Sequence, residues 1–314
     1  MGTLLERKLI LVTGKGGVGK TTVTAGLGMA ASRRGLRTIV VELGGRSVLP
    51  GLFGADRGEL EEGEEIELGE SLWSISIDPD RALAQWLATL TGRLSARMIT
   101  SRASFQYFAA AAPGARELLS MVKVWELTQQ PRWQGRDRGY DLVILDAPAT
   151  GHALALLGSP KTFGAIARVG PLATQARQVT ELLEDPARSG VVAVARPSEL
   201  AVTETLELAE GLREQLGRGP DAVVVNGMLS RRFSEAELAR IAAVDGGEPL
   251  VDSALQAARS VSERSRLQRN QLARLRRRGL ATVTLPMLFV ARLEFDSLER
   301  IAERLADKLL GGDS

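Results

Sequence analysis

The chain has 314 residues, of which 44% are apolar and 25% charged, and its formal net charge at pH 7 is +2. Its length suits one large α/β domain or two modest ones. The absence of cysteine excludes disulfides, thiolate metal sites and cysteine nucleophiles. No apolar run approaches the roughly 20 residues that cross a bilayer, and residues 1–8 lack the layout of a signal peptide, so we expect a cytoplasmic protein.

A glycine-rich stretch follows the first apolar run, residues 9–13, which is predicted to be a buried strand. Its spacing, G-x-x-x-x-G-K-T, is typical of a loop whose backbone N–H groups point at phosphates, with a helix N-terminus adding partial positive charge. Lys20 would contact the β and γ phosphates, and the Thr21 hydroxyl would ligate Mg²⁺. The predicted nucleotide-binding residues here are Gly14, Lys15, Gly16, Gly17, Val18, Gly19, Lys20, Thr21 and Thr22.

A dinucleotide-binding loop is the rival interpretation. The same glycines also match G-x-G-x-x-G, and Glu42 ends the next predicted strand at about the distance where a Rossmann fold places its ribose-binding acid. That interpretation leaves Lys20 and Thr21 unexplained and predicts nothing about the segment around Asp146. We therefore favour a nucleoside triphosphate.

The other strands are predicted in order at residues 38–42, 72–77, 141–146, 191–195, 222–225 and 281–285, with helical segments between most of them. Residues 59–70 hold seven glutamates and no basic residue, so a solvated surface segment is expected there. Strand–helix–strand order implies parallel pairing. We predict an α/β P-loop NTPase fold: one domain over residues 1–314, with a mostly parallel twisted sheet of about seven or eight strands flanked by helices.

The pattern is helical over residues 80–135, between two predicted strands. A crossover between parallel strands needs only a dozen or so residues, so the surplus predicts an inserted helical subdomain, which helices from residues 160–190 could join. Its apolar stripe would pack within the subdomain or form a partner-binding surface.

Asp146 ends the strand predicted at residues 141–146 and begins the sequence D-A-P-A-T-G-H. A carboxylate there can hold the Mg²⁺ shell from the side opposite Thr21, and the turn after it can sense a γ-phosphate. His152 is the single histidine of the chain. We expect it to couple nucleotide state to the helical subdomain rather than to act in catalysis.

Together these motifs resemble the arsenical-pump and guided-entry ATPases. The loop has the deviant Walker A form, with the extra Lys15 after its first glycine, and D-A-P-A-T-G-H is similar to the family's D-T-A-P-T-G-H switch. The resemblance covers nearly the whole chain, since it extends to Ile77-Asp78-Pro79, Pro113-Gly114, Pro197-x-Glu199, Asn226 and Leu285-Pro286.

The resemblance implies roles for several residues. Lys15 would reach across a dimer interface to the partner's nucleotide, and Asn226 and Pro286 would face the adenine. The family normally has a switch I aspartate that positions the attacking water, but Gly44 stands at that place here. Glu42 lies two residues earlier on the same side of the strand and could substitute. In the alternatives, Glu42 helps to hold the Mg²⁺ shell or stabilises the fold, or the ATPase is slow.

We therefore predict an ATP- and Mg²⁺-dependent ATPase that works as a nucleotide-gated homodimer or paralogous heterodimer. It would couple its ATP state to a hydrophobic protein client or a membrane partner. The lack of cysteine rules out zinc held through cysteine and metalloid binding by thiolates. The predicted catalytic residues are Lys15, Lys20, Glu42 and Asp146, with Thr21 and Asp146 at the Mg²⁺.

Two alternatives belong to other functional classes: a partition or positioning ATPase that binds DNA or membrane, and the ATPase subunit of an anion pump. Residues 259–278 hold eight arginines and one glutamate, which could contact nucleic acid or acidic lipid. We favour a solvated helix face with Leu267, Leu272 and Leu275 on the buried side, and nucleic acid is not an expected partner. The last predicted helix, residues 298–309, is amphipathic and should pack on the sheet.

Overall fold

The computed structural model describes residues 4–44, 47–54, 63–85, 114–129, 139–166, 170–244, 247–291 and 293–309. Its strands are β1 (Leu9–Gly14), β2 (Thr38–Leu43), β3 (Ile66–Gly69), β4 (Leu72–Ile77), β5 (Leu142–Ala149), β6 (Ser189–Ala195), β7 (Ala222–Met228) and β8 (Thr282–Pro286). Its helices are α1 (Lys20–Ser32), α2 (Leu49–Leu52), α3 (Ala115–Leu127), α4 (Thr150–Ile166), α5 (Pro171–Glu184), α6 (Glu199–Leu216), α7 (Glu235–Ala243), α8 (Pro249–Arg277) and α9 (Phe295–Leu309).

The eight strands form one sheet in the order β3-β4-β2-β5-β1-β6-β7-β8. All neighbours pair in parallel except β3, which is antiparallel to β4. Every position of β1 and of β6 is buried, because helices cover both faces of the sheet there. This confirms the predicted α/β fold, and each predicted strand is present with its ends shifted by a few residues at most.

The glutamate-rich segment 59–70 is not entirely the surface segment that its charge predicts. Residues 66–69 form β3, an edge strand in which half-buried Ile66 and Leu68 alternate with exposed Glu67 and Gly69. Alternation with a period of two lets one face of a strand pack while the other stays in water. Residues 59–62 lie outside the described part of the chain.

One face of the sheet is covered by α1 and α9. A Cβ atom at Gly26 of α1 would lie 2.8 Å from the Ile301 side chain and 3.1 Å from that of Leu305, so glycine permits the close packing of these two helices. The amphipathic last helix contacts the sheet at β8, as expected, but packs mainly on α1.

The other face is covered by α3, α4, α5, α6 and the C-terminal half of α8. Of the predicted helical insert, the structure describes residues 80–85 and 114–129; residues 86–113 and 130–135 lie outside the described part. The described portion is largely core, because α3 packs against α4, α5 and β5. Its buried apolar side chains are Ala115, Leu118, Leu119, Met121, Val122, Val124, Trp125 and Leu127.

Helices α7 and α8 connect β7 to β8 along the chain, and they are mostly exposed. No described residue of α7 is buried, and Arg259 of α8 donates hydrogen bonds to the carbonyls of Ile241 and Ala242 at the end of α7. Leu272 and Leu275 are buried as predicted. Leu267 is 52% exposed, so the prediction that it lies on the buried side was wrong.

No helix in the described part of the chain is both long enough and apolar enough to cross a membrane.

Candidate functional site

The phosphate-loop motif lies between the end of β1 and the start of α1. At Gly14 φ is +149°, and a Cβ atom there would lie 2.2 Å from the carbonyl oxygen of Val194 on β6. At Gly19 φ is +97°, and a Cβ atom would lie 2.4 Å from Nδ2 of Asn226. Both positions therefore require glycine, since a side chain would strain the backbone and collide with a neighbour.

The loop presents unused hydrogen-bond donors. Within the described part of the chain, the backbone N–H groups of residues 16–19 donate no hydrogen bond, and Gly16 and Gly17 are exposed. The first N–H groups of α1 add donors, because a helix lacks acceptors for them at its N-terminus. This arrangement fits an anionic ligand such as the phosphates of a nucleotide.

Asp146 and Thr21, the two predicted Mg²⁺ ligands, are brought together. Strand β5 lies beside β1 with Asp146 next to Val12. The Thr21 hydroxyl donates a hydrogen bond of 2.6 Å to Oδ2 of Asp146, and Thr24 Oγ1 lies 3.5 Å from Oδ1. A hydroxyl and a carboxylate therefore meet at the N-terminus of α1, beside the loop.

The charged groups of this site have shifted pKa values. Burial raises the pKa of Asp146 to about 6, although the Thr21 hydrogen bond and the positive charge of Lys20 oppose that shift. The negative charge of the nearby Glu42 carboxylate contributes to this rise in the pKa of Asp146. Burial also lowers the pKa of Lys20, and Asp146 opposes that change. Water therefore solvates neither the Asp146 carboxylate nor the Lys20 ammonium well. A cation beside Asp146 and an anion beside Lys20 would be stabilised here.

The two lysines of the loop point in different directions. Lys20 Nζ donates to the backbone oxygen of Lys15 at 3.3 Å and so stays across the loop. The Lys15 side chain instead pairs with Glu204 on α6, with 2.5 Å between Nζ and Oε1. No motif or periodicity in the sequence pointed to Glu204, which lies 189 residues from its partner.

Asn226 and Pro286 lie at the same edge of the sheet as the loop. Asn226 Nδ2 donates to the carbonyl of Val18 at 2.9 Å, which ties the end of β7 to the loop. Pro286 ends β8, is exposed and lies next to Met228 in the β7–β8 register. Their contact with an adenine stays a prediction.

Glu42 is only 7% exposed, and its carboxylate is occupied by the turn that follows β2. It accepts hydrogen bonds from the backbone N–H of Val48 at 2.9 Å, from that of Leu49 at 3.3 Å and from the Ser47 hydroxyl. These contacts favour the structural alternative for Glu42. The hypothesis that it positions the attacking water stays untested.

The switch sequence after Asp146 leads into α4. His152 lies exposed in the first turn of α4, so its proposed coupling role stays a prediction. The Thr150 hydroxyl oxygen is buried without a hydrogen-bond partner in the described part of the chain.

Comparison with known proteins identifies the family. A family model described as anion-transporting ATPase matches residues 7–172, just over half of the chain, including the loop and Asp146. The chain belongs to the anion-transporting ATPase family. It is therefore an ATPase, as predicted, and the dinucleotide interpretation is set aside.

Several relatives share more of the chain. The ATPase BagA of Mycobacterium tuberculosis is 28% identical over 238 residues, which cover 75% of this chain and 69% of the relative. A putative arsenical pump-driving ATPase of Halobacterium salinarum is 26% identical over 73% of this chain and 37% of its own length. The ATPase get3 of Schizosaccharomyces japonicus is 30% identical over 55% of this chain and 53% of its own length.

Proposed function

We propose that the chain is a Mg²⁺-dependent ATPase whose ATP-bound form is a dimer. The observation that carries the Mg²⁺ assignment is the 2.6 Å hydrogen bond between Thr21 and Asp146, because it brings two oxygen ligands together beside the loop. Hard oxygen ligands suit Mg²⁺, which binds few protein groups and keeps several waters. When bound, Mg²⁺ neutralises charge on the β and γ phosphates.

Each residue of the site has a distinct task in this proposal. The free N–H groups of residues 16–19 bind phosphate oxygens, and Lys20 supplies a positive charge whose partial burial strengthens its attraction for an anion. Thr21 and Asp146 orient the metal shell. Asn226 holds the loop in position through the Val18 carbonyl.

The dimer is supported by the orientation of Lys15 and by the family resemblance. The Lys15 ammonium pairs with Glu204 and leaves Lys20 alone to face the phosphates of its own subunit. Lys15 thus does not serve the phosphates of its own subunit; in the proposed dimer it faces the nucleotide of a second copy or a paralogue, where it would stabilise phosphate charge as an arginine finger does.

We also infer that the ATP state is passed to a protein client or a membrane partner. Helix α4 begins four residues after Asp146 and packs against α3, which belongs to the predicted insert 80–135. A shift at Asp146 caused by a γ-phosphate would therefore reach that insert through packed helices.

Analytical ultracentrifugation tests the dimer directly. Wild-type protein and Lys15→Ala are sedimented with Mg²⁺ and either ADP or a nonhydrolysable ATP analogue. We expect the wild type to double in mass with the analogue only, and Lys15→Ala to stay monomeric with both. Lys161→Ala is the matched control, because Lys161 pairs with Glu184 in the α4–α5 layer away from the loop. A wild-type mass that does not depend on the nucleotide would refute the gated dimer.

A further inference from the structure

The side chain of Lys15 has a partner within its own subunit. Its Nζ lies 2.5 Å from Oε1 of Glu204, and the two side chains are 33% and 28% exposed. Glu204 lies in the second turn of α6, the helix that follows β6, and β6 is the neighbour of β1 on the side away from Asp146. The pair therefore connects the phosphate loop to α6, which lies in the same helical layer as α4 and contacts it.

The rest of the loop does not need this contact for its shape. Gly14 packs closely against the backbone of Val194, Asn226 donates to the Val18 carbonyl, and Lys20 crosses the loop to donate to the Lys15 carbonyl. In the described part of the chain, the Lys15 ammonium has no hydrogen bond other than that to Glu204. The pair is thus an interaction of the Lys15 side chain alone, and it can open without moving the loop backbone.

We propose that Glu204 is a positioning residue for Lys15: it holds the ammonium on its own subunit until a phosphate group of a second subunit's nucleotide replaces the carboxylate. This inference rests on the proposed dimeric ATPase. A lysine ammonium is a compact charge that a carboxylate and a phosphate can exchange without a change of backbone geometry. Before the dimer forms, the pair also keeps a second positive charge out of the subunit's own phosphate site.

The size of the effect follows from the partial exposure of the pair. Partly exposed ion pairs of this kind change an equilibrium by about two- to fivefold. A homodimer must open two such pairs, so the effect on dimer affinity is roughly the square of that factor. Removal of the Glu204 charge should therefore favour the dimer.

The first experiment tests the pair in nucleotide-free protein and does not depend on any dimer. Lysine amines are labelled with a limiting amount of an amine-reactive reagent, and the modified fraction of Lys15 is read by mass spectrometry. We expect Glu204→Gln to raise Lys15 labelling about two- to fivefold over wild type. Glu207→Gln, at an exposed position one turn further along α6, should leave Lys15 labelling unchanged. Lys161 is the internal reference and should be labelled equally in all the variants. Equal Lys15 labelling in wild type and Glu204→Gln would overturn the proposal.

The second experiment tests the consequence. The protein concentration at half-dimerisation is measured with Mg²⁺ and the ATP analogue for wild type, Glu204→Gln, Glu204→Asp and Glu207→Gln. We expect Glu204→Gln to dimerise at a lower concentration, with the other two near wild type, since aspartate keeps the charge. An unchanged or weaker dimer in Glu204→Gln would overturn the positioning role. A wild type that stays monomeric would instead refute the proposed function, while the labelling result would still stand.

Discussion

Asp146 and Glu42 are neighbouring carboxylates, the first partly buried and the second buried, and they have different surroundings. They are partners in the parallel register of β2 and β5, at the edge of the sheet where the phosphate loop lies. Asp146 accepts hydrogen bonds from side chains of α1, whereas Glu42 accepts two from the backbone of its own following turn. Backbone donors thus occupy the Glu42 carboxylate, whereas among the described residues no backbone group of a following turn occupies that of Asp146.

The two groups still influence each other. The negative charge of Glu42 raises the pKa of Asp146, which burial has already raised. The Glu42 carboxylate therefore makes the Asp146 charge less favourable in the absence of a cation.

The largest expected effect is that of Lys20→Ala. It removes the one lysine that lies across the loop, so we expect ATP affinity to fall by about 100-fold or more. Isothermal titration calorimetry with ATP and Mg²⁺ measures this. Lys161→Ala is the control and should bind as wild type does. If Lys20→Ala binds ATP within about threefold of wild type, the loop does not hold the phosphates as described.

Glu42→Ala should lower the free energy of unfolding by about 2–3 kcal/mol, because it leaves the buried N–H group of Leu49 and the partly buried N–H group of Val48 without an acceptor. Urea denaturation measures the loss. The control is Glu67→Ala on the exposed face of β3, which should stay within about 0.5 kcal/mol of wild type. Equal stability of the two variants would show that the Glu42 carboxylate is not structural.

Asp146→Asn should stabilise the nucleotide-free protein at high pH. The carboxyl has a pKa of about 6 when folded and an ordinary value of 3.8, so its buried charge costs stability above pH 6, and that cost disappears below pH 3.8. We expect a gain of about 1–3 kcal/mol at pH 8 that shrinks to roughly half by pH 5. Urea denaturation at both pH values checks the sign. A gain that grows towards low pH would contradict the account.

Gly44→Asp tests the position where the family usually has its switch I aspartate. The φ angle of Gly44 is +129°, a conformation that disfavours any side chain, although no atom lies within 4 Å of a built Cβ. We expect a loss of about 1–2 kcal/mol in unfolding free energy and no gain in ATPase rate. Gly44→Ala is the matched control, because it brings the same backbone strain without the carboxylate. A faster ATPase in Gly44→Asp alone would show that the aspartate can act there.

The sequence predicted features that depend on local pattern. Unbroken apolar runs located the parallel strands. The glycine–lysine spacing and Asp146 pointed to the candidate site, because backbone geometry limits which residues can build such a loop. Short β3 was missed, since glutamates outnumber apolar residues in its segment and an edge strand needs only one packed face.

Other features depend on contacts between distant residues. The pairing of Lys15 with Glu204 and the packing of α9 on α1 join segments far apart in the chain, which no local pattern specifies. The buried face of α8 runs through Ser265, Leu272 and Leu275, and Leu267 is exposed because it lies two residues from Ser265, on the other side of the helix. The hydrogen bonds of Glu42 likewise depend on where the chain at residues 47–49 places its donors.

ATP hydrolysis by Asp146→Asn and Glu42→Gln, measured side by side with Mg²⁺ and corrected for the folded fraction, tests the central claim most directly. We predict that Asp146→Asn loses about 100-fold or more in rate, because it removes the charge that orients the metal shell, and that Glu42→Gln stays within about fivefold of wild type. A rate in Glu42→Gln as low as that of Asp146→Asn, or a near wild-type rate in Asp146→Asn, would contradict the account.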